Sequence, residues 1–433
     1  MTETLTDRTG ATAPSLGEIT RVFGRIGLLS FGGPAAQIAL MHRELVERRP
    51  WLEERDFLGA LSFCMLLPGP EAMQLCTYAG WRLRGIAGGL IAGMLFVAPG
   101  AAMILALALL YASFGAQPLV QAAFLGIKAA VIVIVLQALL KVAQKALTGA
   151  AQWAVAGLAF VALYAFQVPF PLIIAVAALW GALRAWHTVP QAEAGRAPAL
   201  GRSMAQTGAI IAGLAALWAA PLLAAWLAGA DLLLDLGLFF SKLAIVTFGG
   251  AYAVLAYMTQ EVVQVQGWLT TAQMIDALGL AETTPGPLIL VTEFVGALTG
   301  IEAGGWRLGV TAAAMTLWVT FVPCFLWIFA AAPYVDWLTR QPRLRGALDG
   351  ITAAVVGVIA NLSLWFALHV FFASVGAVRI GPARPAVPDW ASFDPVAAGL
   401  CALAASLLLW QKASLPLTLM LMAAAGSALG LLF

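Results

Sequence analysis

Charge is what this sequence has least of. Only 10% of its 433 residues are Asp, Glu, Lys or Arg, where a soluble domain carries about a quarter. A surface so poor in charge cannot stay wet, which excludes a soluble globular enzyme. Histidine is scarce too, and the three residues are scattered, so no His-built metal centre is expected. The four cysteines, Cys64, Cys76, Cys324 and Cys401, form no C-x-x-C pair and stand in apolar segments. They read as small buried hydrophobes. No G-x-x-x-x-G-K-S/T run exists to cradle ATP, and no other cofactor is implied. The first twenty residues have no apolar core, so no cleavable signal peptide is expected. A net charge of +2 points to no charged partner, and nucleic acid is not expected as one.

What fills the chain is apolar sequence, 62% of residues, with a mean hydropathy of +0.93. Thirteen apolar segments run over 22–42, 57–80, 86–112, 119–140, 150–166, 169–187, 205–228, 232–258, 273–300, 305–332, 347–373, 394–411 and 414–433. Most are near the ~20 residues a helix needs to cross a bilayer. They lack the alternation of barrel strands. The expected fold is an all-α, polytopic membrane protein in contact with the lipid bilayer. Ser15, three residues before Glu18, forms a capping-box pattern at the start of the first helix.

The chain repeats itself. Leu29-Ser30-Phe31-Gly32-Gly33 matches Val246-Thr247-Phe248-Gly249-Gly250 at a spacing of 217. At that spacing Glu44 meets Glu261, Trp51 meets Trp268, and Pro68-Gly69-Pro70 meets Pro285-Gly286-Pro287. Pro99 then meets Pro323, and Gly126-Ile127-Lys128 meets Gly350-Ile351-Thr352, at a spacing of 224. The expected division is a polar segment 1–21, a first repeat 22–187, a linker 188–204 and a second repeat 205–433.

Charge sets orientation. Arg43, Arg48, Arg49 and Arg55 follow the first FGG, whereas Thr259 to Ala272 carries no Lys or Arg. The positive-inside rule places the first loop in the cytoplasm and the second outside. The repeats are then inverted, an arrangement that puts transporter sites at the repeat interface. Arms of about eleven residues on each side of the first PGP reach only about half a bilayer at 1.5 Å per residue. Re-entrant hairpins with PGP at the tip are therefore expected. Arg379 and Arg384 fall outside on this scheme, against the rule.

Candidate binding residues follow from the breaks. Proline ends a helix, and a break inside a membrane protein must face protein or water. Pro68, Gly69 and Pro70, and Pro285, Gly286 and Pro287, therefore aim helix N-termini inward, and such ends attract anions. Arg25 and Lys242 each lie six residues before an FGG break, and Lys128 lies within an apolar segment. Their alternative role is interfacial anchoring. Ser30 and Thr247 offer hydroxyls, and Gly32, Gly33, Gly249 and Gly250 open the breaks. Glu71 and Glu282 are candidate proton carriers, or, for Glu71, a partner of the helix dipole.

Phe31-Gly32-Gly33-Pro34, Pro68-Gly69-Pro70-Glu71-Ala72-Met73-Gln74 and Thr284-Pro285-Gly286-Pro287 resemble the signatures of the chromate ion transporter family in its long, two-domain form. Ala251 stands in place of Pro34, and Leu288 in place of Glu71, in the second half. The resemblance implies export of chromate across a bacterial-type inner membrane, with resistance as its outcome, and adds Gln74 to the candidate site. The residues themselves reach only as far as an anion; a chromate or sulfate-like oxyanion is what the resemblance implies. Transport of sulfate in the opposite direction and a non-transporting scaffold are the alternatives. Protons are the candidate coupling ion, and a homodimer is compatible with the architecture.

Overall fold

The computed structural model describes residues 14–188, 204–248, 250–339 and 341–432. The proposed linker 188–204 lies almost wholly outside the described residues, as does most of segment 1–21 and Gly249.

The architecture is helical and polytopic. α1 (Leu16–Leu29), α2 (Gly33–His42), α3 (Glu54–Cys64), α4 (Glu71–Phe114), α5 (Pro118–Ala146), α6 (Ala150–Tyr164) and α7 (Phe170–Thr188) make up the first half. α8 (Met204–Leu227) opens the proposed second repeat and packs on α9 and α12. The second half holds α9 (Asp231–Val246), α10 (Ala251–Thr259), α11 (Thr271–Thr283), α12 (Val291–Ala331), a short α13 (Val335–Leu338), α14 (Pro342–Phe371), α15 (Pro395–Ala405) and α16 (Leu415–Leu432). Among the described residues, five stretches are long and apolar enough to cross a membrane. Ser15 caps α1 through the reciprocal capping box with Glu18.

The element order repeats with the sequence. Short π-helical turns follow α2 at Arg43–Glu47 and α10 at Gln260–Val265. α3 and α11 begin 217 residues apart, and α5 and α14 both begin at a proline, 224 apart. α4 and α12 each contain a kink, at Arg84-Gly85 and at Gly304-Gly305, and then an internal proline, Pro99 and Pro323. Three of the seven extra residues in the second half therefore precede the kink and four, about one helical turn, follow it.

Two layers can be distinguished by packing. A central layer holds α1 against α4, α9 against α12, and α4 against α12. A flanking layer crosses the halves reciprocally: α7 packs on α14, and α16 packs on α5. Glycines allow the close approach. A Cβ at Gly126 would overlap the Met422 carbonyl, and one at Gly350 would overlap that of Ala177. Stripes of small residues are how membrane helices approach closely without a hydrophobic drive between them.

The sequence segments 57–80 and 86–112 stay distinct. The PGP break separates α3 from α4, and non-helical backbone at Arg84-Gly85 divides α4 itself, folding the chain back so that Gly80 meets Gly88 and Thr77 meets Gly93. One addition has no counterpart in the first half. α5 and α6 are joined by Leu147 to Gly149 alone, whereas a ribbon of β1 (Val375–Ala377) paired antiparallel with β2 (Ala386–Pro388) lies between α14 and α15.

Candidate functional site

The breaks meet in the interior, and they meet across the halves. Gly69, at the first PGP tip, donates its N–H to the Thr247 carbonyl oxygen at 2.8 Å. Gly286, at the second, donates to the Ser30 carbonyl oxygen at 2.9 Å. Each PGP tip is thus tied to the FGG break of the other half. Each also rests on the helix beside the other half's internal proline. A Cβ at Gly69 would crowd Cys324 Sγ, and one at Gly286 would approach the Phe96 carbonyl oxygen and the Gly100 Cα. Gly32, Gly33, Gly69, Gly250 and Gly286 all have positive φ, between 78° and 126°, which side chains with a Cβ rarely adopt. The chain can turn at these points only because they are glycines.

At both tips a helix starts without a side-chain cap. Pro70 precedes α4, and Pro287 precedes the 3-10 turn Leu288–Leu290 that leads into α12. Their first-turn N–H groups have no partner inside a helix. Two buried glutamines cover tip carbonyls instead. Gln74 Nε2 donates to the Pro68 oxygen at 2.7 Å, and Gln37 Nε2 donates to the Gly286 oxygen at 2.7 Å. Covering the carbonyls removes partial negative charge from the tips and leaves the N–H ends.

Other candidates are placed apart. Ser30 and Thr247 are buried, and each hydroxyl donates to the carbonyl four residues back, Ile26 and Leu243. Arg25 and Lys242 are exposed on α1 and α9, away from the tip hydrogen bonds. The Lys242 ammonium stands 5.6 Å from the centre of the Tyr257 ring. Lys128 is not at a tip either. Its Nζ is 3.0 Å from Asp276 Oδ1, and Tyr111 donates to Asp276 Oδ2 at 2.8 Å. Glu282 is buried beside the second tip and accepts from Tyr252 at 2.9 Å. Glu71 is half-buried at the first turn of α4. Among the described residues no cluster of His, Cys, Asp and Glu has the makings of a metal site.

Sequence reasoning missed Gln37, Asp276 and Glu293. All three are buried, and Glu293 Oε2 has no hydrogen-bond partner. The signal was available for the two acids, since a carboxylate within an apolar span is costly and usually functional. Gln37 could be found only through the tip it reaches, 249 residues away.

Residues 17–182 and 234–430 match the family described as chromate transporter. The chain belongs to that family. It is 32% identical to a chromate transport protein of Pseudomonas aeruginosa over 83% of this chain and 83% of the relative. It is also 32% identical to one from Cupriavidus metallidurans, over 81% and 82% of the two chains. An uncharacterized transporter of Bacillus subtilis is 29% identical over 36% of this chain but 89% of its own length. That relative is matched over about the length of a single repeat. No solved structure matches. The two stretches matched to the chromate transporter family contain both FGG breaks and both PGP tips, and leave α8 unmatched.

Proposed function

We propose that this transporter exports chromate or a closely similar tetrahedral dianion across the inner membrane. The substrate would bind where the four broken ends converge, between two halves inverted in the membrane. The observation that carries this reading is the reciprocal pair of bonds, Gly69 to Thr247 and Gly286 to Ser30. It joins two uncapped helix N-termini to two glycine turns, one of each from either half. Helix N-termini favour anions through free N–H groups and the helix dipole. The site would comprise Pro68, Gly69, Pro70, Gln74, Pro285, Gly286 and Pro287, with Gly32, Gly33 and Gly250 supplying the turns. Ser30 and Thr247 would act through their carbonyls, which fix the tips. Arg25, Lys242 and Lys128 would add positive potential around the site rather than contact.

Movement would come from the contrast between layers. α10 packs on α14, and α11 packs on α5 and α16. Their counterparts α2 and α3 make no packing of that extent with the flanking layer among the described residues. The central layer would rock so that first one hairpin and then the other docks. Export of two negative charges from a negative interior would gain about 2.3 kcal/mol per charge per 100 mV. Protons carried by Glu71 or Glu282 would add to this, and a homodimeric assembly belongs to the same proposal.

Purified protein in liposomes should move labelled chromate, with sulfate as competitor measuring discrimination. Wild-type liposomes that move neither anion above empty vesicles would overturn the proposal. Movement of sulfate alone would reassign the substrate.

A further inference from the structure

A cavity of about 300 Å³ opens at the end of α10 remote from the FGG break. At about 30 Å³ per water, it has room for a tetrahedral oxyanion with part of its hydration shell. α6, α10, the π-turn after α10, α14 and the β1–β2 ribbon all contribute to its wall. The ribbon is held down at two points. The Arg384 N–H donates to the Ala165 oxygen at 2.7 Å, and the Tyr164 hydroxyl donates to the Ala386 oxygen at 2.6 Å.

The lining has one chemical bias. Arg384 supplies a guanidinium, and Gln260, Gln264, Asn361 and Thr259 supply neutral donors, while His369 Nδ1 is taken up by the Trp365 carbonyl oxygen at 2.9 Å. No Asp or Glu is among the described lining residues. Thr259 is 3% exposed and its Oγ1 has no hydrogen-bond partner, a costly state for a buried hydroxyl unless a ligand or water completes it. Arg384 has no salt bridge among the described residues, and its planar fork suits two oxygens of an oxyanion.

The corresponding place in the first half is built differently. Thr259, Gln260 and Gln264 stand 217 residues after His42, Arg43 and Glu47. There His42 is paired with Glu47 at 3.1 Å and with Glu54 at 2.6 Å. Acids that would repel an anion are present, and the ribbon is absent.

We propose that this cavity is a second oxyanion-binding site, separate from the broken-helix tips and joined to them by α10. α10 is nine residues long, so the two sites would stand roughly 13 Å apart along it at 1.5 Å per residue. The proposal rests on the reading of the chain as an oxyanion transporter with the second loop outside. On that reading Arg384 sits on the outer face, where the positive-inside rule disfavours it, and binding a departing anion gives the charge a function there.

Equilibrium binding of labelled sulfate to purified protein, with chromate as competitor, tests the assignment beside liposome transport. Wild type should bind two anions per chain. Arg384→Gln should remove one of them or weaken it at least tenfold, raise KM and leave transport at saturating chromate largely intact. Pro287→Ala should abolish transport while leaving the Arg384-dependent anion bound. Gln264→Glu, which puts an acid into the cavity without removing a ribbon residue, should mimic Arg384→Gln. Wild-type stoichiometry and KM in both cavity variants would overturn the second site while leaving the transport reading standing. Arg384-dependent binding in protein that moves no anion would do the reverse.

Discussion

The two halves share an element order but not an environment. In the second half every residue from Met274 to Glu282 of α11 is buried. In the first half, α3 buries only Phe57, Ala60, Phe63 and Cys64. The second tip, Pro285 to Pro287, is buried throughout, whereas Pro68 and Pro70 of the first are half-exposed. The flanking layer shows no such difference, since α7 on α14 and α16 on α5 pack through equivalent glycines. One chain therefore combines a nearly two-fold frame with a central layer that is docked at one end only. The lesson is that departures from symmetry mark the parts whose positions differ, and hence the parts to disturb.

The tips should give the largest effect. Gly69 has φ of +126°, and a Cβ there would crowd Gln74 and Cys324. Gly69→Ala and Gly286→Ala should each abolish most chromate transport, because the tip must leave its bond to the other half. Strained backbone of this kind costs about 1–3 kcal/mol. Surface abundance should stay near wild type in the second-half variant only if the tip is free to shift. Wild-type rates in both variants would remove the tips from the mechanism.

The Lys128–Asp276 pair comes next. It ties α11 to α5, and Tyr111 of α4 joins it. The equivalent positions in the other half are Gly59, Thr352 and Val335, so no such pair can form when α3 docks. Lys128→Thr should strand a buried carboxylate and destabilise the protein by about 3–5 kcal/mol. Adding Asp276→Gly should restore most of that loss and make the two ends alike. Thermal unfolding in detergent reads the stability. Cysteine labelling at the α3 and α11 faces reads whether the balance between docked ends has shifted. A double variant no more stable than Lys128→Thr would mean that the pair is not a separable latch.

Much of the fold was legible because it is written twice. The FGG and PGP breaks, their spacing and the all-helical class follow from proline, glycine and apolar length, which act locally. What stayed hidden depends on where the chain meets itself. Nothing near Lys128 in sequence names Asp276, and nothing near Gln37 names Gly286. The equal positions of Arg25 and Lys242 suggested a shared site, but position along a helix does not fix which way a side chain faces, and both are exposed. The ribbon of β1 and β2 escaped notice because strands of three residues are too short to show a period.

The symmetric frame offers the converse test, with a smaller effect. Gly126→Ala and Gly350→Ala should each force α16 or α7 outward, at about 1–3 kcal/mol of overpacking. Because the frame is equivalent in both halves, the two losses should agree within the scatter of thermal unfolding. A loss in one variant alone would show that the frame is as asymmetric as the central layer.

The smallest expected effect is a pH dependence confined to the first half. His42 lies where the chain leaves α2 for the Arg-rich loop, and it faces Glu54 and Glu47. The hydrogen bond that its ring N–H donates to Glu54 raises its pKa above the ordinary value, with Glu47 adding to the shift. A histidine whose folded pKa is raised contributes stability that is complete below its unfolded value, about 6.5. That contribution fades as pH rises through the higher folded value. Thermal unfolding of wild type should therefore show a shallow loss of stability beginning near pH 6.5. His42→Thr, which copies Thr259 of the second half, should flatten it. Thr259→His should add no matching dependence, because Glu47 and Glu54 are replaced there by Gln264 and Thr271. An identical slope in wild type and His42→Thr would mean that the pairs are too well solvated to matter, as exposed ion pairs often are.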